Sequence, residues 1–371
     1  MKIVGVDVWN VVVPTIPGTV HSPEFGPPVF DEAPIHIIRL KTDEGIDGLG
    51  ETHRGTPRSA VDAAIERVIG LDPLKVSLQS LPLGPPPPSV RYPGRDWEVL
   101  STTGTGGGAY DAFECAFYDL VGKALGVPVH FLLGGRFRNR VEADYWIGQQ
   151  TPEDAARNAR IGYERGFHGM KMKAAIDDPW MDRIAAILEA TGPEFKITID
   201  PNQRFYRPHE AISLARRLTQ FPNVALYEDP LPKWNLDWYK QLRAVSPVPI
   251  ALNLDHPHNV VNAIKAEACD CMNLGSNMTG FLRLAAIAEA AGLACWRSSG
   301  NNLGIMEHAY LHCAAAARNC VLPSDFVGSW TREDDLVNEG IQFDQGCALV
   351  PDAPGLGCTL DFTALEKYRV Q

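Results

Sequence analysis

From about residue 141 onward, short apolar runs alternate with amphipathic stretches at a spacing of one strand plus one helix. Strand candidates begin near Val141, His168, Lys196, Val224, Pro249, Cys269 and Ala294. Helical spacing of apolar residues fills the gaps, as over 152–165, 208–219 and 281–291. This alternation predicts parallel strands with crossover helices, and seven units in series favour a closed barrel over an open sheet. Upstream, residues 1–50 read as strands and turns. Ile35-His36-Ile37-Ile38-Arg39-Leu40 is apolar-rich, and Asp43-Glu44-Gly45 is a turn signal. Phe113, Ala116, Phe117, Leu120, Val121 and Ala124 mark one face of a helix over 109–125, which Gly126-Val127-Pro128 ends. Stretches 14–34 and 82–95 are rich in Pro and Gly and read as loops. After about residue 330 the texture turns irregular. The pattern predicts an α/β protein, with a barrel domain and a second domain built from both chain ends.

A chain of 371 residues suits two domains. Its net charge of −11 argues against nucleic acid or an anionic membrane as the main partner. An acidic substrate remains compatible, because a metal and local lysines reverse the potential inside a cleft. Met1-Lys2-Ile3-Val4-Gly5-Val6-Asp7 alternates like a strand and lacks the apolar core of a secretory signal. No apolar stretch is long enough to span a bilayer, so the expected location is cytoplasmic. The eight cysteines are scattered and read as buried thiols rather than a disulfide framework. Alternation would put Cys269 and Cys271 on one strand face, too few ligands for a soft-metal site. Thr105-Gly106-Gly107-Gly108 lacks the lysine of a phosphate-binding loop and reads as a flexible helix entry.

Several of the strand candidates end in charged or amide side chains. Lys171 and Lys173 fall on the same side of one strand by alternation. Asp200 ends Ile197-Thr198-Ile199-Asp200-Pro201-Asn202, and Glu228 ends Ala225-Leu226-Tyr227-Glu228-Asp229-Pro230. Asn253 and Asp255 follow Pro249-Ile250-Ala251-Leu252. A barrel collects strand ends at one rim, where active sites sit. Two lysines and several oxygen donors in one pocket suit a divalent metal and a proton-abstracting base. Oxygen donors of this kind match Mg²⁺.

Taken in order, these segments resemble the enolase superfamily, on the side of mandelate racemase and muconate-lactonizing enzyme, over nearly the whole chain. Ala116-Phe117-Tyr118-Asp119-Leu120-Val121-Gly122-Lys123, Leu132-Leu133-Gly134-Gly135 and Val350-Pro351-Asp352-Ala353-Pro354-Gly355-Leu356-Gly357 carry the resemblance beside the Lys-x-Lys, Asp-x-Asn and Glu-Asp-Pro segments. The resemblance implies a modified TIM barrel, (β/α)7β, with an α+β capping domain. Its expected divisions are 1–135 for the cap, 136–330 for the barrel and 331–371 for a segment returning to the cap. Cap loops near 15–30 and at Glu51-Thr52-His53-Arg54 would close the site and choose the substrate.

The implied chemistry is Mg²⁺-assisted removal of the proton next to a carboxylate. The resemblance makes Lys173 the base and Lys171 its neighbour, with a lysine near other cations expected to have a lowered pKa. It makes Asp200 and Glu228 metal ligands, with Asn202 orienting Asp200 or a bound water. Asn253 and Asp255 stand equal as third ligand. Where the family carries a second acid/base, counting back from Thr279-Gly280 places Leu274. Where racemase-like members carry a His, Trp296-Arg297-Ser298-Ser299-Gly300-Asn301-Asn302 has none. Racemisation with two bases is therefore disfavoured. His256 is a candidate acid, ahead of His258, with a loop or helix-start role as the alternative. Arg54, Arg297, Ser298 and Asn301 are candidates for holding substrate. The expected function is a dehydratase acting on a small hydroxy or sugar acid, by syn elimination with the same lysine or a nearby His as acid. A muconate-type cycloisomerase, or a binding protein that kept the barrel without its chemistry, are the alternatives. Family members commonly form dimers or octamers, so a homo-oligomer is expected.

Overall fold

The computed structural model describes residues 1–31, 33–83, 108–205 and 207–370. Most of the Pro-rich stretch 82–95 and the glycine run at 105–107 lie outside the described residues.

Strands β1 (Ile3–Val11), β2 (Ile35–Thr42) and β3 (Asp47–Glu51) form an antiparallel sheet, and Gly45 turns the β2–β3 hairpin with φ of 77°. Helices α1 (Arg58–Val68) and α2 (Gly108–Leu125) cover it around Ile38, Leu40, Val61, Phe113, Phe117 and Leu120. The β3–α2 approach is backbone to backbone. A Cβ at Gly48 or Gly50 would lie 2.2 or 2.0 Å from the carbonyl oxygens of Ala116 and Ala112, so only glycine fits there.

Seven parallel strands follow in sequence order: β5 (Tyr145–Ile147), β6 (Gly169–Lys173), β7 (Lys196–Asp200), β8 (Val224–Glu228), β9 (Ile250–Leu254), β10 (Cys271–Leu274) and β11 (Ala294–Arg297). The expected strand near Val141 is divided. Its start, β4 (Arg140–Glu142), leaves the barrel and pairs with β13 (Cys347–Leu349), itself paired with β12 (Phe343–Asp344). Ring closure falls to residues 320–325. Cys320 bridges Cys295 of β11, and Ser324 bridges Ala143 just ahead of β5, both in parallel. Pro323, which has no N–H to donate, keeps this eighth stave from reading as a strand.

Eight of the outer helices are α3 (Val129–Leu132), α4 (Pro152–Glu164), α5 (Trp180–Thr191), α6 (Pro208–Arg217), α7 (Leu236–Arg243), α8 (Pro257–Lys265), α9 (Met278–Ala290) and α10 (Gly304–Ala316). Alternation along each strand sorts the side chains. Met170, Met172, Ile197, Ile199, Tyr227, Leu252 and Met272 face these helices in the main core. Ala251, Cys271 and Trp296, with Leu226 and Leu322, form a separate cluster on the inside of the wall. Cys269 belongs to the outer core and Cys271 to the inner cluster, so the two thiols do not share an environment as alternation suggested. The strand begins only at Cys271. All eight cysteines are free thiols. Helices α11 (Gly328–Thr331) and α12 (Phe362–Lys367) complete the chain, whose end returns to β1: Val370 N donates to Asn10 O at 2.8 Å. Among the described residues no helix is long and apolar enough to cross a membrane.

The joint between α3 and α10 holds a buried imidazole pair. His130 N donates to His312 Nδ1 at 3.2 Å, and His312 Nε2 donates to the Leu356 carbonyl at 3.1 Å. Burial holds His312 down at about 3, although that carbonyl favours its charged form. Between there and the ordinary value of 6.5, the unfolded chain binds a proton here that the folded chain does not. The stability from a neutral His312 is thus complete above pH 6.5 and is lost as pH falls toward 3. Urea unfolding of wild type and His312→Gln should therefore diverge less at acid pH, by about 1.4 kcal/mol per pH unit below 6.5. A difference that does not change with pH would rule out this titration.

Candidate active site

Lys171 and Lys173 project from β6 on its inward side, two residues apart. Lys171 is the deeper. Its Nζ lies 2.8 Å from Glu228 Oε2, 3.1 Å from Asp325 Oδ2 and 3.4 Å from Asp200 Oδ2. Its side chain is 4% exposed, against 22% for Lys173, which ion-pairs with Asp200 at the rim. Burial opposes the Lys171 charge, but Asp325, Glu228 and Asp200 outweigh it and raise its pKa well above the usual lysine value. A lowered value was expected from two adjacent lysines. The carboxylates around Lys171 reverse that.

The carboxylates differ among themselves. Burial works against the Asp200 charge, yet Lys173 and Lys171 bring its pKa down to about 2, helped by the Asn202 N–H at 2.9 Å. Burial and the nearby Asp200 push Glu228 up to about 7, with Lys171 opposing. Asn273 Nδ2 donates to Glu228 Oε1 at 2.8 Å. Below them, burial and Asp325 raise Asp144 well above the carboxylate range.

On β9 the inward residue is Asn253. Its Nδ2 faces Ser298 Oγ at 3.4 Å, leaving its carbonyl oxygen as a donor. Asp200, Glu228 and Asn253 thus stand on three neighbouring strands with oxygen donors. Among the described residues no three His, Cys, Asp or Glu side chains group as a ligand set. The set is two carboxylates and an amide. Buried Glu228 Oε2 already faces Lys171 Nζ at 2.8 Å, so a bound cation would share this oxygen with the ammonium. The donors fit a hard divalent ion, at lower ligand charge than three carboxylates would give.

Other candidates lie elsewhere. Asp255 is exposed past the end of β9. His256 caps α8: its Nδ1 accepts from His258 N at 3.2 Å, and the two rings stack at 5.1 Å. That assigns it the helix-start role. Asn202 is exposed with φ of 51° and serves Asp200 through its backbone. Arg297 corrects the substrate-binding expectation. Alternation points it out of the barrel, where it is 2% exposed, 3.6 Å from the Tyr310 ring centre, and donates to the carbonyls of Leu274, Ser276 and Ser298. Asn301 is likewise committed: its Oδ1 accepts from Thr331 Oγ1 and Arg332 Nε, each at 3.1 Å. Leu274 is wholly buried in the outer core, so its position faces away from the site. The inward residue of β10 is Asn273.

The cap loops rest on the rim. Gln150 Nε2 donates to the carbonyls of Gly18 and Thr19, both at 3.1 Å, over the end of β5. Arg54 donates to the Gly300 carbonyl and lies 4.6 Å from the Phe30 ring centre. Asp325, Asp144 and Asn273 had not been singled out. Ser324-Asp325 after the apolar pair Val321-Leu322 was the available signal.

A family model described as Mandelate racemase / muconate lactonizing enzyme, N-terminal domain, matches residues 28–134, and one described as Enolase C-terminal domain-like matches 154–364. Muconate cycloisomerase 1 of Rhodococcus opacus is 30% identical over 69% of this chain and 71% of its own length. D-gluconate dehydratase of Thermoproteus tenax is 26% identical over 90% of this chain and 70% of its own. The solved N-succinyl Arg/Lys racemase of Bacillus cereus superposes with a TM-score of 0.83 at 22% identity, covering 100% of this chain and 99% of that one.

Asn253→Asp should tighten Mg²⁺ binding, on the order of tenfold by titration calorimetry, because it restores a third charged ligand. Unchanged or weaker binding would remove Asn253 from the metal site.

Proposed function

Since the chain belongs to the mandelate racemase / muconate lactonizing enzyme family of the enolase superfamily, we propose that it removes the proton α to the carboxylate of a small hydroxy or sugar acid and expels the β-hydroxyl as water. The observation that carries this reading is the division of labour on β6. Lys173 reaches the rim, while Lys171 stays sealed among three carboxylates. Asp200, Glu228 and Asn253 are the residues that would hold Mg²⁺, which when bound lends positive charge to the substrate carboxylate and so acidifies the adjacent C–H.

Lys173 Nζ is the proton acceptor, since it alone of the pair is open to the rim. Asp200 fixes its position from one side. Lys171 remains cationic and supplies fixed positive charge beneath the pocket, where negative charge develops on the substrate. Ser298 and the Asn253 amide offer hydrogen bonds to substrate hydroxyls. Opposite Lys173, β10 supplies only Asn273, which is held by Glu228. The barrel wall therefore supports proton removal from one face, and not racemisation by two barrel bases. Cycloisomerisation is the second reading. It rests on the 30% identity to a muconate cycloisomerase, a reaction that also needs one proton-handling group.

In D₂O with Mg²⁺, NMR against a library of sugar acids, hydroxy acids and amino-acid derivatives should show α-proton exchange and new product for a hydroxy or sugar acid. Lys173→Ala should lower both by about a hundredfold or more. Full turnover in that variant on an identified substrate would remove Lys173 as base, and a lactone product would favour the cycloisomerase.

A further inference from the structure

We propose that His53, oriented by Asp111, is the general acid on the face opposite Lys173, delivered by the cap because the barrel wall has none. This rests on the elimination reading above and adds the group that protonates the departing oxygen.

The barrel ring has eight members, seven strands and the 320–325 stave, so β10 stands four places from β6 in either direction. The far wall from Lys173 is therefore the end of β10 and its neighbour β11. Two buried carboxylates fasten the cap to this sector. Glu51, at the end of β3, accepts from Leu303 N at 2.6 Å and Met306 N at 3.0 Å, at the start of α10. Glu114, on α2, accepts from Met278 N at 2.7 Å and Thr279 N at 3.2 Å, at the start of α9. These helices follow β11 and β10. The elements carrying His53 and Asp111 are thus fixed above the wall that lacks a titratable side chain.

His53 follows Glu51 by two residues, and Asp111 precedes Glu114 by one helical turn. His53 Nε2 donates to Asp111 Oδ2 at 2.9 Å. This bond leaves Nδ1 as the accepting nitrogen. Asn302 Nδ2, in the rim loop after β11, donates to it at 3.4 Å, a long bond that gives way when Nδ1 takes up the acid proton. A Cβ at Gly300 in the same loop would sit 3.7 Å from Nδ1. The His53 side chain is 37% exposed and that of Asp111 only 9%. Asp111 Oδ1 is buried without a hydrogen-bond partner, so the carboxylate has its charge to spend on the imidazole. The other charges nearby are Glu51, Arg54 and Glu114. Docking the cap does not require this pair, because both residues belong to the N-terminal domain, and Glu51, Glu114 and Arg54 already make the cross-domain bonds.

In the step itself, Lys173 Nζ takes the α-proton and the C–H pair moves toward the carboxylate. That pair then forms the Cα–Cβ double bond as the Cβ–O bond breaks. The departing oxygen takes the proton from His53 Nδ1 and leaves as water. His53 ends neutral and Lys173 ends as the ammonium. Exchange of one proton with solvent at each resets the pair. The two groups act from opposite faces, so the elimination is anti, in place of the syn course expected with one lysine.

The first test needs no substrate. The imidazole ¹⁵N spectrum of the protein should show His53 protonated at Nε2 and bare at Nδ1 when neutral, and Asp111→Asn should disturb that preference. The opposite tautomer in the wild-type protein would overturn the proposal. With the hydroxy-acid substrate, His53→Gln should lower kcat for dehydration by about a hundredfold or more, while α-proton exchange persists. A β-chloro analogue, whose leaving group needs no proton, should still be eliminated by this variant. Asp111→Asn should lower kcat more than KM. Unimpaired dehydration in His53→Gln, a syn product, or equal loss of exchange and of both eliminations would each overturn the acid role. Exchange that survives Lys173→Ala would instead overturn the underlying reading of the base.

Discussion

The site depends on one buried ammonium. Lys171 sits among Asp200, Glu228 and Asp325, contributed by β7, β8 and the closing stave. Without it those three carboxylates would repel one another in a volume closed to water. Breaking a buried ion pair by removing one partner costs about 3–5 kcal/mol, because the other charge is left uncompensated. Lys171 therefore organises the pocket before any ligand arrives. It also leaves the cluster's charges unequal, with Asp200 ionised, Glu228 raised and Lys173 at the open end.

The cap is tied to the barrel by the same device in a different setting. Glu51 and Glu114 put carboxylates on the first turns of α10 and α9, where unpaired N–H groups gather. Burial raises both acids to about 7. Asp119 works in parallel, accepting from Leu49 N and Leu356 N, each at 2.8 Å, and so joins β3, α2 and the returning C-terminal segment. The positions of the loops over the pocket follow from these buried acids rather than from apolar contact alone.

Much of this was legible in the chain. Lys173, Asp200 and Glu228 each end a regular strand, with Lys171 two residues earlier on the same face, and the barrel itself brings them together. What escaped depended on parity or on a broken pattern. Arg297 and Leu274 were counted toward the pocket, but one step of alternation turns each of them outward. His256 follows a strand end, yet the helix after it claims the imidazole as its cap. Asp325 follows a proline-interrupted segment whose strand character comes only from its neighbours. Val141 begins an apolar run that looks like a barrel strand, but pairing with β13, some two hundred residues away, draws it out of the ring.

The closing stave ties the closure of the ring to the charge at its centre. The stave's bonds to β11 run through Leu322 N to the Cys295 carbonyl and Asp325 N to the Arg297 carbonyl, and on the other side Ser324 N donates to the Glu142 carbonyl. Asp325 thus bonds to β11 through its backbone and to Lys171 through its carboxylate, at 3.1 Å. Its departure would take one of the three counter-charges from Lys171, so any parting of this segment from β11 is also a change in the electrostatics at the barrel's centre.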